Sequence, residues 1–329
     1  PELIACGDEI RVFDGITGRP YPDPSTPALK VSHRTILGMV IGDFDGNDER
    51  DIAYIAADAQ AGNYLINIIT IPTEVDAGGN LIETEARSLP GWPRTISPTA
   101  DKFLLYSMSA GDIDDDGVPE IFTAPYSLGE GRLYAFHANG MPLASDSSDG
   151  LFAQLSGSAS SVAIVDIDND QEPEIVLRVG ELLFGPDQIF AFEPGGELVN
   201  GYPIMFGSGS STTLSTPIVG DVDADNRADM VTVQSTGTSV AVWDLAAPYA
   251  RRERHWPRFQ ADYWNSGVTV TPLYDVLYLA RVIDHVFFGA PDFPPYEPAD
   301  LDCNGFVDIV DIAVLIDYSF FGGARPCAP

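Results

Sequence analysis

Asp112, Asp114, Asp115, Asp116 and Glu120 crowd five carboxylates into nine residues of the stretch GDIDDDGVPEI (111–121). Two unit charges ~4 Å apart repel by about 1 kcal/mol in bulk water and by more near a protein surface. A folded loop needs positive charge to offset that repulsion. The stretch recurs as GDFDGNDERDI (42–52), VDIDNDQEPEI (165–175) and GDVDADNRADM (220–230). Side-chain oxygens fall at loop positions 1, 3, 5 and 9: Asp43, Asp45, Asn47 and Asp51; then Asp112, Asp114, Asp116 and Glu120. The third copy has Asp166, Asp168, Asp170 and Glu174, and the fourth Asp221, Asp223, Asp225 and Asp229. Position 7, occupied by Glu49, Val118, Glu172 or Arg227, adds a backbone carbonyl. A hard divalent cation takes six to eight such oxygens, which is the coordination of Ca²⁺. Polar hairpin turns are the alternative for any single copy, since Asp, Asn and Gly favour turns in any case. Four copies in register favour the cation.

Such loops need rigid flanks, and each has them. Short apolar runs precede the loops (TILGMVIGD, LYSMSAGD, SVAIVD, TPIVGD) and follow them (DIAYIAA, EIFTAPY, EIVLRV, DMVTVQ). A third run comes next (LINIITI, LYAFHANG, IFAFEPGG, VAVWDLA), then a Gly/Trp/Pro turn: PGWPRTI, ANGMPLA, VNGYPIMF and RHWPRFQ. The loops start 69, 54 and 55 residues apart. Each unit has room for about four short strands, the size of a propeller blade.

These loops and strands resemble FG-GAP/VCBS-type repeats, the calcium-loop blades of integrin-α-like propellers, over residues 1 to about 266. The resemblance implies a mainly β protein, a β-propeller of four-stranded blades, usually seven and incompletely represented in this chain. Pro1-Glu2-Leu3 aligns with Pro119-Glu120-Ile121, so the chain is expected to begin inside a repeat, with Glu2 at position 9. The family includes adhesion receptors, lectins and rhamnogalacturonan lyases, so the fold alone does not set the activity.

From about residue 267 the period changes. YDVLYLARVIDHVFFG (274–289) carries apolar residues at helical spacing. DLDCNGFVDIVD (300–311) is an EF-hand-type loop, with Asp300, Asp302, Asn304 and Asp308 as side-chain ligands, Phe306 giving a carbonyl and Asp311 at position 12. IDYSFFG (316–322) echoes IDHVFFG (283–289). This duplicated plan resembles a type I dockerin, implying a small α-helical, EF-hand/dockerin-like domain at 267–329. The first copy has Gly267, Thr269 and Thr271 where ligands are expected, so it should bind no calcium. About five Ca²⁺ are expected in all. Cys303 and Cys327 are placed to staple the tail, with two free thiols as the alternative; Cys6 falls on an expected strand.

The chain carries 49 acidic and 17 basic residues, a net charge of −32, which argues against nucleic acid or anionic membranes as partners. No apolar run reaches the ~18 residues of a membrane span. Loops of modest affinity need millimolar calcium, which places the protein outside the cell, secreted or at the cell surface. His33, His137, His255 and His285 are scattered, and no G-x-S-x-G, HExxH or CxxC occurs. His137 reads as a strand-end residue rather than a base. No catalytic residue is assigned. Tyr126, Trp243 and Tyr263 are aromatics that either stack on sugars or pack in the core. The expected function is extracellular binding or assembly (adhesion or structural), with the tail making a protein contact or self-assembling. A carbohydrate-binding lectin or a polysaccharide lyase is the alternative.

Overall fold

The computed structural model describes residues 2–6, 10–14, 35–58, 63–70, 86–96, 106–125, 131–144, 148–180, 186–206, 215–233 and 240–248, except loop positions 48, 115, 171, 224 and 226. In the C-terminal segment it describes residues 286, 309, 310 and 312–314. The chain divides into two compact units, Pro1–Ala247 with Arg254–Thr269, and Pro248–Glu253 with Val270–Pro329.

The first unit is built from successive antiparallel sheets. β1 (Glu2–Cys6) and β2 (Ile10–Asp14) form a hairpin. β3 (Thr35–Gly42), β4 (Asp51–Asp58) and β5 (Asn63–Thr70) follow, and β5 pairs with two short pieces, β6 (Arg87–Ser88) and β7 (Arg94–Ile96). The third sheet is a plain four-stranded meander of β8 (Tyr106–Gly111), β9 (Glu120–Pro125), β10 (Gly131–Phe136) and β11 (Leu151–Leu155). In the fourth, β12 (Ser158–Ala159) and β13 (Ala163–Val165) both pair with β14 (Glu174–Gly180), which is followed by β15 (Asp187–Phe192) and β16 (Ile204–Phe206). The last sheet holds β17 (Ile218–Gly220), β18 (Arg227–Val233) and β19 (Val240–Pro248).

The apolar runs are continuous because each middle strand is buried on both faces. Along β4, Ala53 and Ile55 point into a core shared with Met108, Phe122 and Leu133 of the next sheet. The alternating Ile52, Tyr54 and Ala56 point the other way, into a cluster with Ile10 of β2 and Ile36. Alternation of side chains along a strand thus serves two packed interfaces at once. The leading strands β3, β8, β13 and β17 contact one another in succession. Ser109 on β8 donates from Oγ to the Val162 carbonyl at 2.9 Å, joining the third sheet to the fourth. Stacked four-stranded meanders with leading strands side by side are the arrangement of propeller blades.

The expected four strands per unit hold in the third sheet and are modified in the second and fourth. The leading strand of the fourth sheet is split at Ser160, whose N–H donates to the Arg178 carbonyl while its Oγ accepts the Arg178 N–H. The outer strand of the second sheet is broken by the turn at Gly91 and the cis Trp92–Pro93 peptide. The sequence alignment of closing turns also needs a correction. The Ala138–Asn139–Gly140 turn carries the bridge Phe136↔Pro142 and corresponds to the Glu193–Glu197 turn with Phe192↔Leu198. It does not correspond to the Tyr202–Pro203 turn, because it closes straight off the third strand. β1 starts at Glu2 as β9 starts at Glu120, and Leu3 pairs with Phe13 as Ile121 pairs with Phe136. The opening hairpin therefore has the register of a second and third strand.

In the second unit, Val286, Ile309, Val310 and residues 312–314 have helical backbone. Ile312 is buried, and Ile309 and Val310 are exposed. The remainder of the two expected helices, Cys303 and Cys327 lie outside the described residues, as do Tyr126 and Tyr263. Trp243 packs edge-on against Phe206 at 5.3 Å. No helix among the described residues is long and apolar enough to cross a membrane.

Candidate metal centre

All four acidic loops join a leading strand to the middle strand of its sheet, and they share one hydrogen-bond plan. The position-9 carboxylate accepts the N–H of position 2 in every copy. Phe44 donates to Asp51 Oδ2 at 3.0 Å, Ile113 to Glu120 Oε2 at 3.0 Å, Ile167 to Glu174 Oε2 at 2.6 Å and Val222 to Asp229 Oδ2 at 2.8 Å. Phe44, Ile113 and Ile167 are also buried, so they anchor the loop in the core while presenting that N–H; Val222 is exposed.

The other positions close the turn. Position 1 collects backbone donors: Asp43 Oδ1 accepts Gly46 N–H at 2.8 Å and Asn47 N–H at 3.1 Å. Asp112 accepts from Asp116 and Gly117, Asp166 from Asn169, and Asp221 from Asp225. Position 5 accepts the N–H of position 7: Asn47 from Glu49, Asp116 from Val118, Asp170 from Glu172 and Asp225 from Arg227, at 2.7–2.8 Å. The tight curl requires left-handed backbone, supplied by Gly46 (φ 72°) in the first loop and Asn169 (φ 72°) in the third.

The outcome is convergence of ligand atoms. Asp43, Asp45 and Asp51 have carboxylate oxygens within 4.8 Å of one another, as do Asp112, Asp114 and Asp116, and Asp221, Asp223 and Asp225. The third loop gathers Asp166, Asp168, Asp170 and Glu174 within the same limit. Asp229 stands apart from its loop's group and is held by the Val222 N–H. Asp300, Asp302, Asn304, Phe306, Asp308 and Asp311 lie outside the described residues.

The electrostatics of these groups is strained. Burial, then neighbouring carboxylates, pushes Asp51 up to about 7, with the Phe44 N–H opposing. The same causes push Glu120 and Glu174 up to about 9, against the N–H bonds from Ile113 and Ile167. Asp45 and Asp168 are also raised, burial being the largest cause in each. Glu174 is fully buried, and its Oε1 has no hydrogen-bond partner among the described residues. A desolvated carboxylate oxygen, orphaned among three other carboxylates, is what a hard cation would satisfy. The oxygen-only donor set of this loop fits Ca²⁺.

Two residues belong to these sites that sequence reasoning did not assign. On the third strand, the residue after the last core aromatic lies across from position 9. His137 holds that place in the second loop, its Nδ1 3.1 Å from Glu120 Oε1. Glu193 holds it in the third, raised by burial and then by Asp168, Asp170 and Glu172. The parallel Ala-Phe-His and Ala-Phe-Glu endings were the available signal. His137 does follow the end of β10, as expected, but it faces the loop.

A family model for FG-GAP-like repeats matches residues 112–177, which run from the second loop through the third into β14. No curated protein matches the chain. Among solved structures, an exotype rhamnogalacturonan lyase, YesX, is 12% identical with TM-score 0.32, covering 70% of this chain and 48% of its own. The Dos1 propeller is 12% identical with TM-score 0.37, covering 74% and 52%, and fructan 1-exohydrolase IIa from Cichorium intybus is 13% identical with TM-score 0.37, covering 71% and 50%. The chain spans about half the length of these structures.

Proposed function

We propose that this chain is a secreted, calcium-stabilised β-propeller whose role is extracellular binding or assembly, with the dockerin-like tail supplying a protein contact. The observation that carries the calcium reading is the third loop: four carboxylates within 4.8 Å, one of them buried with an orphaned oxygen. Each ion would neutralise repulsion in a turn that joins the leading and middle strands of a sheet. Calcium is then part of the fold, and each site filled at 100 times its dissociation constant adds about 2.7 kcal/mol. Loops of this kind fill at extracellular calcium concentrations, which supports a location outside the cell.

The test is thermal unfolding with and without chelator. Chelation should lower the melting temperature, and readded calcium should restore it. Asp112→Ala should weaken one site, while Asp115→Ala, at a position outside the ligand spacing, should leave calcium binding unchanged. An unchanged melt in excess chelator would remove the calcium reading.

A further inference from the structure

The second loop differs from the others in donor chemistry. Where the third loop has Glu193, it has an imidazole. His137 Nδ1 lies 3.1 Å from Glu120 Oε1 and 3.6 Å from Asp114 Oδ2. These three side chains form a group within 4.8 Å, overlapping the oxygen-only group Asp112, Asp114 and Asp116 at Asp114. We infer that Asp114, Glu120 and His137 form a site for a borderline divalent transition metal, with Zn²⁺ as its natural probe, sharing Asp114 and Glu120 with the calcium ligands of the same loop.

The donor set decides the metal class. Calcium and magnesium sites are built from oxygens, whereas imidazole nitrogen suits zinc and its neighbours. Two carboxylates and one imidazole with room for water also match the three-protein-ligand pattern of open zinc sites. Zn–N and Zn–O bonds of ~2.0–2.2 Å in a tetrahedron put donor atoms roughly 3.3 Å apart. The observed 3.1 and 3.6 Å bracket that edge.

The side chains are also held in place before any metal arrives. Glu120 is buried and fixed by the Ile113 N–H on its other oxygen. His137 is fixed at the backbone, donating to the Met141 carbonyl and accepting the Gly140 N–H. Its neighbour Phe136 is buried in the core. Asp114 is exposed and His137 half-buried, so water can complete the coordination. Positioning of this kind lowers the ordering cost of binding.

The experiment titrates the full chain with Zn²⁺ by calorimetry at calcium concentrations from limiting to saturating, because the two ions would compete for Asp114 and Glu120, alongside His137→Gln and Asp115→Asn. Native protein and Asp115→Asn should bind one more Zn²⁺ tightly than His137→Gln does, or bind it about tenfold or more tightly. Calcium affinity of Asp115→Asn should stay within about twofold of the native value. The His137 ring resonances should shift on Zn²⁺ addition. Equal Zn²⁺ binding by His137→Gln, or an unmoved His137 resonance, would overturn the site and leave His137 as a hydrogen-bond partner of Glu120. The outcome is separable from the calcium reading, because a chain that binds no calcium fails that reading whatever it does with Zn²⁺.

Discussion

Glu174 shows what a single carboxylate does in these loops. Without a cation it is a carboxyl group buried among Asp166, Asp168 and Asp170, and burial is the main reason its proton is held up to about 9. Glu174→Gln removes the titrating group and keeps a carbonyl to accept the Ile167 N–H. In chelator near neutral pH the substitution should stabilise the protein, by about 1 kcal/mol or more, because the native carboxyl must take up a proton on folding and the amide need not. In calcium it should do the reverse and weaken the third site about tenfold, which is ~1.4 kcal/mol. Melting curves of the two proteins with and without calcium would show the sign change; the same sign in both conditions would refute it. The pH dependence follows from the same shifts. With Asp51 up to about 7, and Glu120 and Glu174 up to about 9, the calcium-free fold holds more protons than the unfolded chain between roughly pH 4 and 9. Its stability therefore falls as pH rises through that window. The chelated protein should melt higher at about pH 5.5 than at about pH 8.5, and Glu174→Gln should flatten the slope. Spacing alone exposed the loop carboxylates in the sequence. His137 and Glu193 were hidden because they join the loops through strand register, across β9–β10 and β14–β15, and register is a tertiary property.

The strands themselves were legible because burial on both faces leaves a continuous apolar run, as in β4 and β14. What breaks a strand was harder to read. The split of β12 from β13 rests on Ser160 bonding the backbone of Arg178, and Ser160 looks like any loop serine in GSASSV. Arg178 was also not legible, because nothing in EIVLRVG separates a buried arginine from an exposed one. It is 1% exposed, with its Nη2 2.9 Å from Asp187 Oδ1 and its Nη1 3.1 Å from Ser215 Oγ. The guanidinium also lies 5.7 Å from the centre of the Phe206 ring. It thereby ties β14 to β15, to β16 and to the residues leading into β17. Asp187→Ala would leave a buried cation without its carboxylate, and should cost about 3–5 kcal/mol. Denaturant unfolding measures it, and a loss below 1 kcal/mol would show that Ser215 and Phe206 suffice. Gly91 marks the contact between neighbouring turns. Its φ is 90°, and a Cβ there would fall 2.0 Å from the Asn139 carbonyl oxygen. Trp92 beside it donates from Nε1 to the Ala138 carbonyl and packs edge-on against Phe136 at 5.8 Å. Gly91→Ala should therefore destabilise by at least about 1 kcal/mol from backbone strain alone. An Ala variant as stable as the native protein would mean that the two turns move apart freely.

At the scale of the whole molecule, the tail carries the proposed role in assembly. A module of ~60 residues buries a smaller share of its surface than a larger domain does. The two helices expected of the tail from its sequence would carry Phe287, Phe288, Phe320 and Phe321 on their apolar faces, more aromatic surface than so small a module would be expected to cover. Ile309 and Val310, where the described helical backbone begins, are 61% and 45% exposed. In the proposed assembly these two side chains would form part of the partner surface. The first dockerin-like copy lacks its ligands, with Gly267, Thr269 and Thr271 in their place, so a lasting contact fits better than a reversible plug built on two calcium loops. The chain should therefore self-associate through the tail, and a chain ending at residue 267 should not. The comparison is made by light scattering in calcium, with melting curves to confirm that the shortened protein folds. Ile309→Asp with Val310→Asp in the full chain is the companion variant, since it disables the surface and keeps the tail. Association of the native chain, lost in both variants, supports assembly through this surface. A native chain as monomeric and as stable as the truncated one would reject self-assembly and favour a tail that seeks a different protein.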